Sequence, residues 1–235
     1  MDINEQLEIQ TLFEDLAPMG TNKVAVIIGR FNPPTKGHYA VINLVKKFIK
    51  ANPQIGLNVS PVVVVIGGSK SDLDKKRNPL SVDERISFMK GSGKANGVTF
   101  MTAVNAFAAL AECREKGMEP IAVAAGTDRI EDYIKILDKN FKTPDNQQIK
   151  HYKIHLERDE DATLTKQDDK AAALDSALSQ IKSNGYAGTD IVSGSLARRA
   201  VELGYEKEFA EIVDLTDKPV LAKKLFAKIE AAIKE

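Results

Sequence analysis

The sequence predicts an α/β protein: a doubly wound, mostly parallel sheet of five strands with helical extensions at both ends. Three observations carry that prediction. Short continuous apolar runs, Val24–Ile28 and "PVVVVIGG" at 61–68, read as strands buried on both faces. Segments with helical periodicity stand between such runs, and this alternation is the mark of βαβ units. The chain, with 235 residues of which 43% are hydrophobic and 28% charged, is long enough for one good core with an appended helical piece.

Taken in order, residues 3–17 read as an amphipathic helix through Ile3, Leu7, Ile9, Leu12, Phe13 and Leu16, stopping before Pro18 and Gly20. Val24–Ile28 is the first strand, and "HYAVINLVKKFIKANP" is a helix that ends before Pro53. After the second strand, "LSVDERISFMKGSG" carries a capping box, with Ser81 at the cap and Glu84 three residues on. Val98–Thr102 is the third strand, and Asn105 caps a helix to about Lys116. "PIAVAAG" at 120–126 is the fourth strand, with a helix from about Asp128 to Lys139. "IKHYKIHLER" alternates and reads as the fifth strand, with one face more polar. A helix over 166–183 and further helices near 206–213 and 219–234 complete the chain, and polar residues 157–170 have little to bury. The expected organisation is a helical extension over 1–20, an α/β body over 21–204 and a C-terminal helical segment over 205–235.

Charge and composition exclude several classes. Lys+Arg and Asp+Glu both number 33, so no global attraction to nucleic acid or membrane is expected, although a local basic pocket is compatible with that balance. A single cysteine, Cys113, rules out an internal disulfide, fits a reducing compartment and reads as an inert thiol in a helix. The acidic first residues lack the basic and apolar regions of a signal peptide, and no apolar run approaches the roughly 20 residues that span a bilayer. A cytoplasmic protein is expected.

The chemistry concentrates where the first strand ends, in "GRFNPPTKGH". Open α/β sheets bind ligands beyond the carboxyl ends of their strands, near the switch point. Gly29 lets the chain leave the strand, Pro33 and Pro34 stiffen the loop, Thr35 suits an N-cap, and Gly37 permits close approach of a ligand. The helix expected from about His38 would offer unpaired N–H groups to a phosphate, and His38 could donate to a phosphoryl oxygen. A capped, Pro-rich loop with a solvated His is the other reading of these residues.

Other signals carry less. "GSGK" at 91–94 lacks the leading Gly and the trailing Ser or Thr of a phosphate-binding loop and follows a helix, so it reads as a helix-terminating turn. Lys70 follows the second strand and could reach phosphates. His151 and His155 share a strand face with no obvious acidic third ligand for zinc. The mixed charges of "KKLFAKIEAAIKE" fit a packed, solvated helix rather than a membrane helix.

"GRFNPPTKGH" resembles the signature of the nucleotidyltransferase superfamily, commonly Gly-x-Phe-(Asp/Asn)-Pro followed by (His/Thr)-x-Gly-His. "NPLSVDERISFM" at 78–89 and "VSGSLARR" at 192–199 resemble, in the same order, segments of pantetheine-phosphate and archaeal-type nicotinamide-mononucleotide adenylyltransferases. The resemblance covers about 24–200 and implies a Rossmann-like fold. Thr35 stands where the first His is common, as in the pantetheine-phosphate enzymes, while Arg30 and Asn32 are similar to the nicotinamide-mononucleotide branch. Class I aminoacyl-tRNA synthetases carry a related first motif, but the chain has no Lys-Met-Ser-Lys-Ser stretch.

The resemblance implies that a phosphate of an acceptor attacks the α-phosphorus of a nucleoside triphosphate and that magnesium-bound pyrophosphate leaves. It places Thr35 and His38 on the transferred phosphoryl group and Gly29, Arg30, Phe31, Asn32 and Gly37 beside the nucleotide. Ser193, Ser195 and Arg198 would hold the β- and γ-phosphates. Arg85 is implied to face the phosphate site or else pairs with Asp83 or another acid at the surface; Asp128, with Gly126, would contact the nucleotide or else caps a helix. The expected partners are ATP or another triphosphate and a phosphorylated small molecule, with Mg²⁺ carried by the triphosphate and no protein metal ligands. Absence of the Arg-Thr-x-Gly-Ile-Ser-Thr form tilts the nucleotide towards ATP. Two alternatives stand beside this reading: cytidylyl transfer, and a catalytically weak protein of the same fold with a structural or virion assembly role. The terminal helices would then offer a surface for self-association or an assembly partner.

Overall fold

Two runs of β-branched residues form the centre of the sheet. β1 (Asn22–Gly29) and β2 (Ser60–Ile66) pair in parallel, with Val26 opposite Val62 and Ile28 opposite Val64. β3 (Thr99–Ala103), β4 (Met118–Ala124) and β5 (Tyr152–Ile154) complete a sheet of order β3-β2-β1-β4-β5 in which every pair is parallel. The helices are α1 (Lys36–Ala51), α2 (Val82–Ser92), α3 (Ala106–Glu115), α4 (Thr127–Asn140), α5 (Gly194–Glu202), α6 (Glu206–Ile212) and α7 (Pro219–Lys234). This is the expected Rossmann-like α/β fold.

The computed structural model describes residues 22–53, 59–68, 73–140, 151–154, 172, 174–179, 181 and 193–235. The expected helix at 3–17, Lys70, His155 and the polar stretch 157–170 lie outside them. The described residues fall into two compact units. One comprises those of Met1–Gly29, Val41–Gly68 and Gly97–Leu156; the other comprises those of Arg30–Ala40, Ser69–Asn96 and Glu157–Glu235.

In the first unit, alternation on the strands explains why the runs are continuous. Val24, Val26, Ile28, Val62, Val64, Met101 and Val123 pack with Leu110 and Cys113 of α3 and Ile130, Ile134 and Leu137 of α4. The intervening Ala25, Ile27, Val63 and Val65 face the other way and are equally buried. Right-handed crossovers set α1 on one face and α3 and α4 on the other. The β1–β4 register slips between Val24 and Ala25, opposite the step from Pro120 to Ala122. Pro120 has no N–H to give the ladder, so the pairing breaks there. Cys113 sits inside this core, where burial pushes its thiol up to about 12 and leaves it protonated, matching the inert thiol expected.

The second unit is held by helices. Leu80, Phe88, Leu196, Ala200, Phe209, Ile212, Leu225, Phe226 and Ile229 share one core with Leu178 and Ile181. Phe209 and Phe226 meet edge to face at 5.3 Å between ring centroids. Arg199 on α5 clamps Asp175 through two bonds of 2.7 and 3.0 Å, tying the helical residues 174–179 to the late helices.

Local signals in the sequence resolve as local structure. Ser81 accepts the Glu84 N–H while the Glu84 carboxylate accepts the Ser81 N–H, forming the expected capping box on α2. Asn105 caps α3 through Ala108. Gly93 ends α2 in the left-handed region at φ 72°, so "GSGK" is a helix stop. Two helix starts differ from expectation. α1 begins at Lys36 because the Thr35 carbonyl already accepts the Tyr39 N–H. α4 is capped by Gly126, whose carbonyl accepts from Ile130, so Asp128 lies in the first turn instead of at the cap. Of the alternating run that predicts the fifth strand, only residues 151–154 are described, and Tyr152–Ile154 is strand.

Glu84 also pairs with Lys228 of α7, within the second unit. Burial pulls its carboxyl up, but hydrogen bonds from Lys228 and Ser81 and the Lys228 charge more than offset that, leaving it below the ordinary value. A carboxyl depressed on folding stabilises above its unfolded pKa, and that contribution is lost as pH falls through the folded pKa. Ser81→Ala is expected to lower unfolding stability by about 1 kcal/mol in denaturant titrations. Glu84→Gln should flatten the acid side of the stability–pH curve; an unchanged slope would remove Glu84 from the acid response.

Candidate active site

Three separated stretches meet in the second unit, and each arrives for a local reason. The first is the loop that leaves β1. Phe31 takes φ 52°, a region side chains seldom adopt, and is 2% exposed, so its surroundings hold it there. Its ring packs on His38 with centroids 4.8 Å apart. The Asn32–Pro33 peptide is cis, and Pro33 and Pro34 are buried. Thr35 caps α1, Gly37 is buried in its first turn, and His38, half-buried, stands three residues from the cap.

Asn32 joins this loop to the second stretch. Its amide nitrogen donates to the Leu80 carbonyl at 3.1 Å and the Asn78 side chain at 3.4 Å, while its Oδ1 accepts the Leu80 N–H at 3.2 Å. Arg85 reinforces the same seam from α2. It is 1% exposed, and its guanidinium donates to the carbonyls of Leu80, Ser81 and Arg30. Arg85 therefore lies inside the fold, where it braces the backbone of two motif segments.

The third stretch is the N-terminus of α5. Ser193 caps it by accepting the Leu196 N–H. Arg198 reaches back to donate to the Asn32 carbonyl at 2.5 Å and to Ser195 Oγ at 3.1 Å. Gly194 makes this approach possible, because a Cβ there would lie 2.8 Å from the Asn32 carbonyl oxygen and 3.3 Å from Arg198 Nη1.

The electrostatics favour an anion. Burial holds the Arg198 guanidinium below the usual arginine value; Arg77 and Arg30 add like-charge repulsion, and Glu202 and Asp74 oppose it. An arginine cannot shed its proton, so a partly dehydrated one beside other cations is relieved by a bound anion. The side chains on these stretches, two Ser hydroxyls, a guanidinium and an imidazole, are of the kind that donate to an anion. Among the described residues there is no group of three or more His, Cys, Asp or Glu that could hold a metal. His151 is instead fixed by Asp138, with Nδ1 2.8 Å from the carboxylate.

The remaining site candidates, Gly29, Gly126 and Asp128, belong to the sheet unit. Gly29 ends β1, and Gly126 follows β4, the neighbouring strand. From β1 the chain turns towards β2, and from β4 it turns towards β5, so these two ends flank the switch point of the sheet. Sequence reasoning missed Asn78, an ordinary polar residue before Pro79, and Gly194, whose need for a bare Cα appears only once Asn32 is opposite it.

Comparison with known proteins adds the family. Residues 26–179 match the family model described as cytidylyltransferase-like, well over half of the chain, although Ser193–Arg199 lies beyond the matched range. No curated protein matches the sequence. Crystal structures of Leishmania major tyrosyl-tRNA synthetase are similar in part. The complex with fisetin (cubic form) is 16% identical over 98% of this chain and 43% of that chain, with a TM-score of 0.48. Complexes with tyrosinol are 14% identical in the triclinic form, over 80% of this chain and 37% of that one (TM-score 0.42), and 11% identical in the cubic form, over 94% and 45% (TM-score 0.41). The chain thus spans less than half the length of the synthetase chains it matches. Among the described residues no helix is long and apolar enough to cross a membrane.

Gly194→Ala should force backbone apart at the Asn32 contact. The expected loss is about 1–3 kcal/mol of unfolding stability, the usual cost of overpacking, read by denaturant titration. No loss would mean that α5 shifts freely against the loop.

Proposed function

Because the chain belongs to the cytidylyltransferase-like nucleotidyltransferases, we propose that it transfers AMP from ATP to a phosphorylated small-molecule acceptor and releases pyrophosphate. The observation that carries this reading is the union of "TKGH" and "SGSLAR" through Asn32, with Arg198 drawn onto the loop that bears His38.

In this reading a phosphate oxygen of the acceptor attacks the α-phosphorus in line, and the bond from that phosphorus to the bridging oxygen breaks. No protein nucleophile is needed, so the chain contributes position and charge. His38 donates to a non-bridging oxygen of the transferred phosphoryl group as charge builds there. Ser193, Ser195 and the first turn of α5 receive the β- and γ-phosphates, and Arg198 exchanges its bond to the Asn32 carbonyl for phosphate oxygens. Magnesium bound to the triphosphate supplies neutralisation of the leaving pyrophosphate. The cradle chemistry of Ser193, Ser195 and Arg198 suits such a metal-carrying triphosphate. Arg30 and Arg77 extend the positive field at the rim. The form of the late motif supports adenine over cytosine.

The test is pyrophosphate release from each nucleoside triphosphate with Mg²⁺ and a panel of phosphorylated acceptors. Release is expected with ATP and is abolished by His38→Ala with the fold intact by circular dichroism. Preference for CTP would make the reaction cytidylyl transfer, and triphosphate binding without turnover across the panel would favour an assembly role. Arg198→Ala should lower kcat/KM by about 2–4 kcal/mol, the scale of a lost oxyanion-type donor. Unchanged kinetics would take Arg198 out of the site.

A further inference from the structure

We propose that Thr35 is a positioning residue that holds His38 as the Nε2–H tautomer, not a residue that touches the substrate. Its consequence for turnover rests on the nucleotidyl-transfer reading above; the tautomer itself rests on geometry alone.

At the start of α1 the side chain three residues on accepts the Thr35 N–H, as in one half of a capping box, but the acceptor is an imidazole in place of a carboxylate. The Thr35 N–H donates to His38 Nδ1 at 3.0 Å, and Thr35 Oγ1 lies 2.8 Å from the same nitrogen. A ring nitrogen that accepts from an amide N–H carries no proton, so the proton of the neutral ring is on Nε2. In the opposite tautomer Nδ1–H would donate to Thr35 Oγ1 at 2.8 Å, and the Thr35 amide proton would then face a protonated nitrogen at 3.0 Å. Packing of the Phe31 ring against the imidazole limits the rotation that could relieve that clash. The same box stands on α2, where the Glu84 carboxylate accepts the Ser81 N–H at 2.9 Å. There the acceptor has one relevant form; at His38 the cap selects between two.

Burial separates Thr35 from a direct role. The residue is 0% exposed, whereas His38 is half-buried. The hydroxyl therefore lies behind the ring and acts through it. A Thr in the first position of the motif is thus compatible with a donating His38, because the cap needs only an amide and a short hydroxyl.

The experiment has two arms on the full chain. Long-range proton–nitrogen correlation spectra at neutral pH, with His38→Gln to assign the signal among the three histidines, should show Nε2 protonated and Nδ1 bare. A protonated Nδ1, or an even mixture, overturns the proposal. In the second arm Thr35→Val should lower kcat by about tenfold with KM for ATP within about twofold, and Thr35→Ser should stay within about threefold of the parent. A raised KM for ATP with kcat unchanged in Thr35→Val would make Thr35 a substrate contact and overturn it. If no acceptor reacts, the transfer reading fails, and the spectra alone decide the tautomer.

Discussion

A buried asparagine is the joint on which the second unit depends. Asn32 is 5% exposed, yet its side chain is bonded through both polar atoms and its carbonyl accepts from Arg198. Each bond contributes only about 0.5–1.5 kcal/mol net, but leaving a buried partner unmade costs about 1–3 kcal/mol. The asymmetry makes the arrangement cooperative. Moving the loop would orphan the Leu80 amide, and moving α5 would leave the Arg198 guanidinium partly buried without its carbonyl. Gly194 and Arg85 serve this joint, one by keeping clear of it and the other by bracing the backbone on both sides.

Overall charge neutrality conceals a local imbalance. Counts of 33 acidic and 33 basic side chains say nothing of where the cations go. Folding brings Arg198, Arg30 and Arg77 close enough to repel, with Glu202 and Asp74 as the opposing acids. Elsewhere ordinary pairs absorb the charge, as Arg199 does with Asp175 and Glu202, and Lys94 with Asp214. Arg198 and Arg199 are neighbours in sequence with different surroundings. Arg199 points to carboxylates that raise its pKa, and Arg198 points to a carbonyl and a hydroxyl where burial lowers it.

The family relationship and the geometry bear on different links of the argument. The matched range runs from residue 26 to residue 179 and includes the loop, the NPL segment and all of the sheet but the first residues of β1. The Ser193–Arg199 segment enters only through its contact with Asn32 and through the resemblance of its motif.

What the sequence determined by itself is whatever depends on neighbours along the chain. Apolar runs buried on both faces marked β1 and β2, the Ser81–Glu84 spacing marked a cap, and Thr35 marked the start of α1. Such signals are legible because a helix turn or a strand pleat is set by residues a few positions apart. Tertiary structure alone decided the rest. It buried Arg85 against carbonyls, drew Arg198 across 166 positions to Asn32, and set the Asn32 carbonyl where a Cβ on residue 194 would stand. Those outcomes turn on which backbone groups face one another after packing, and no local pattern records that.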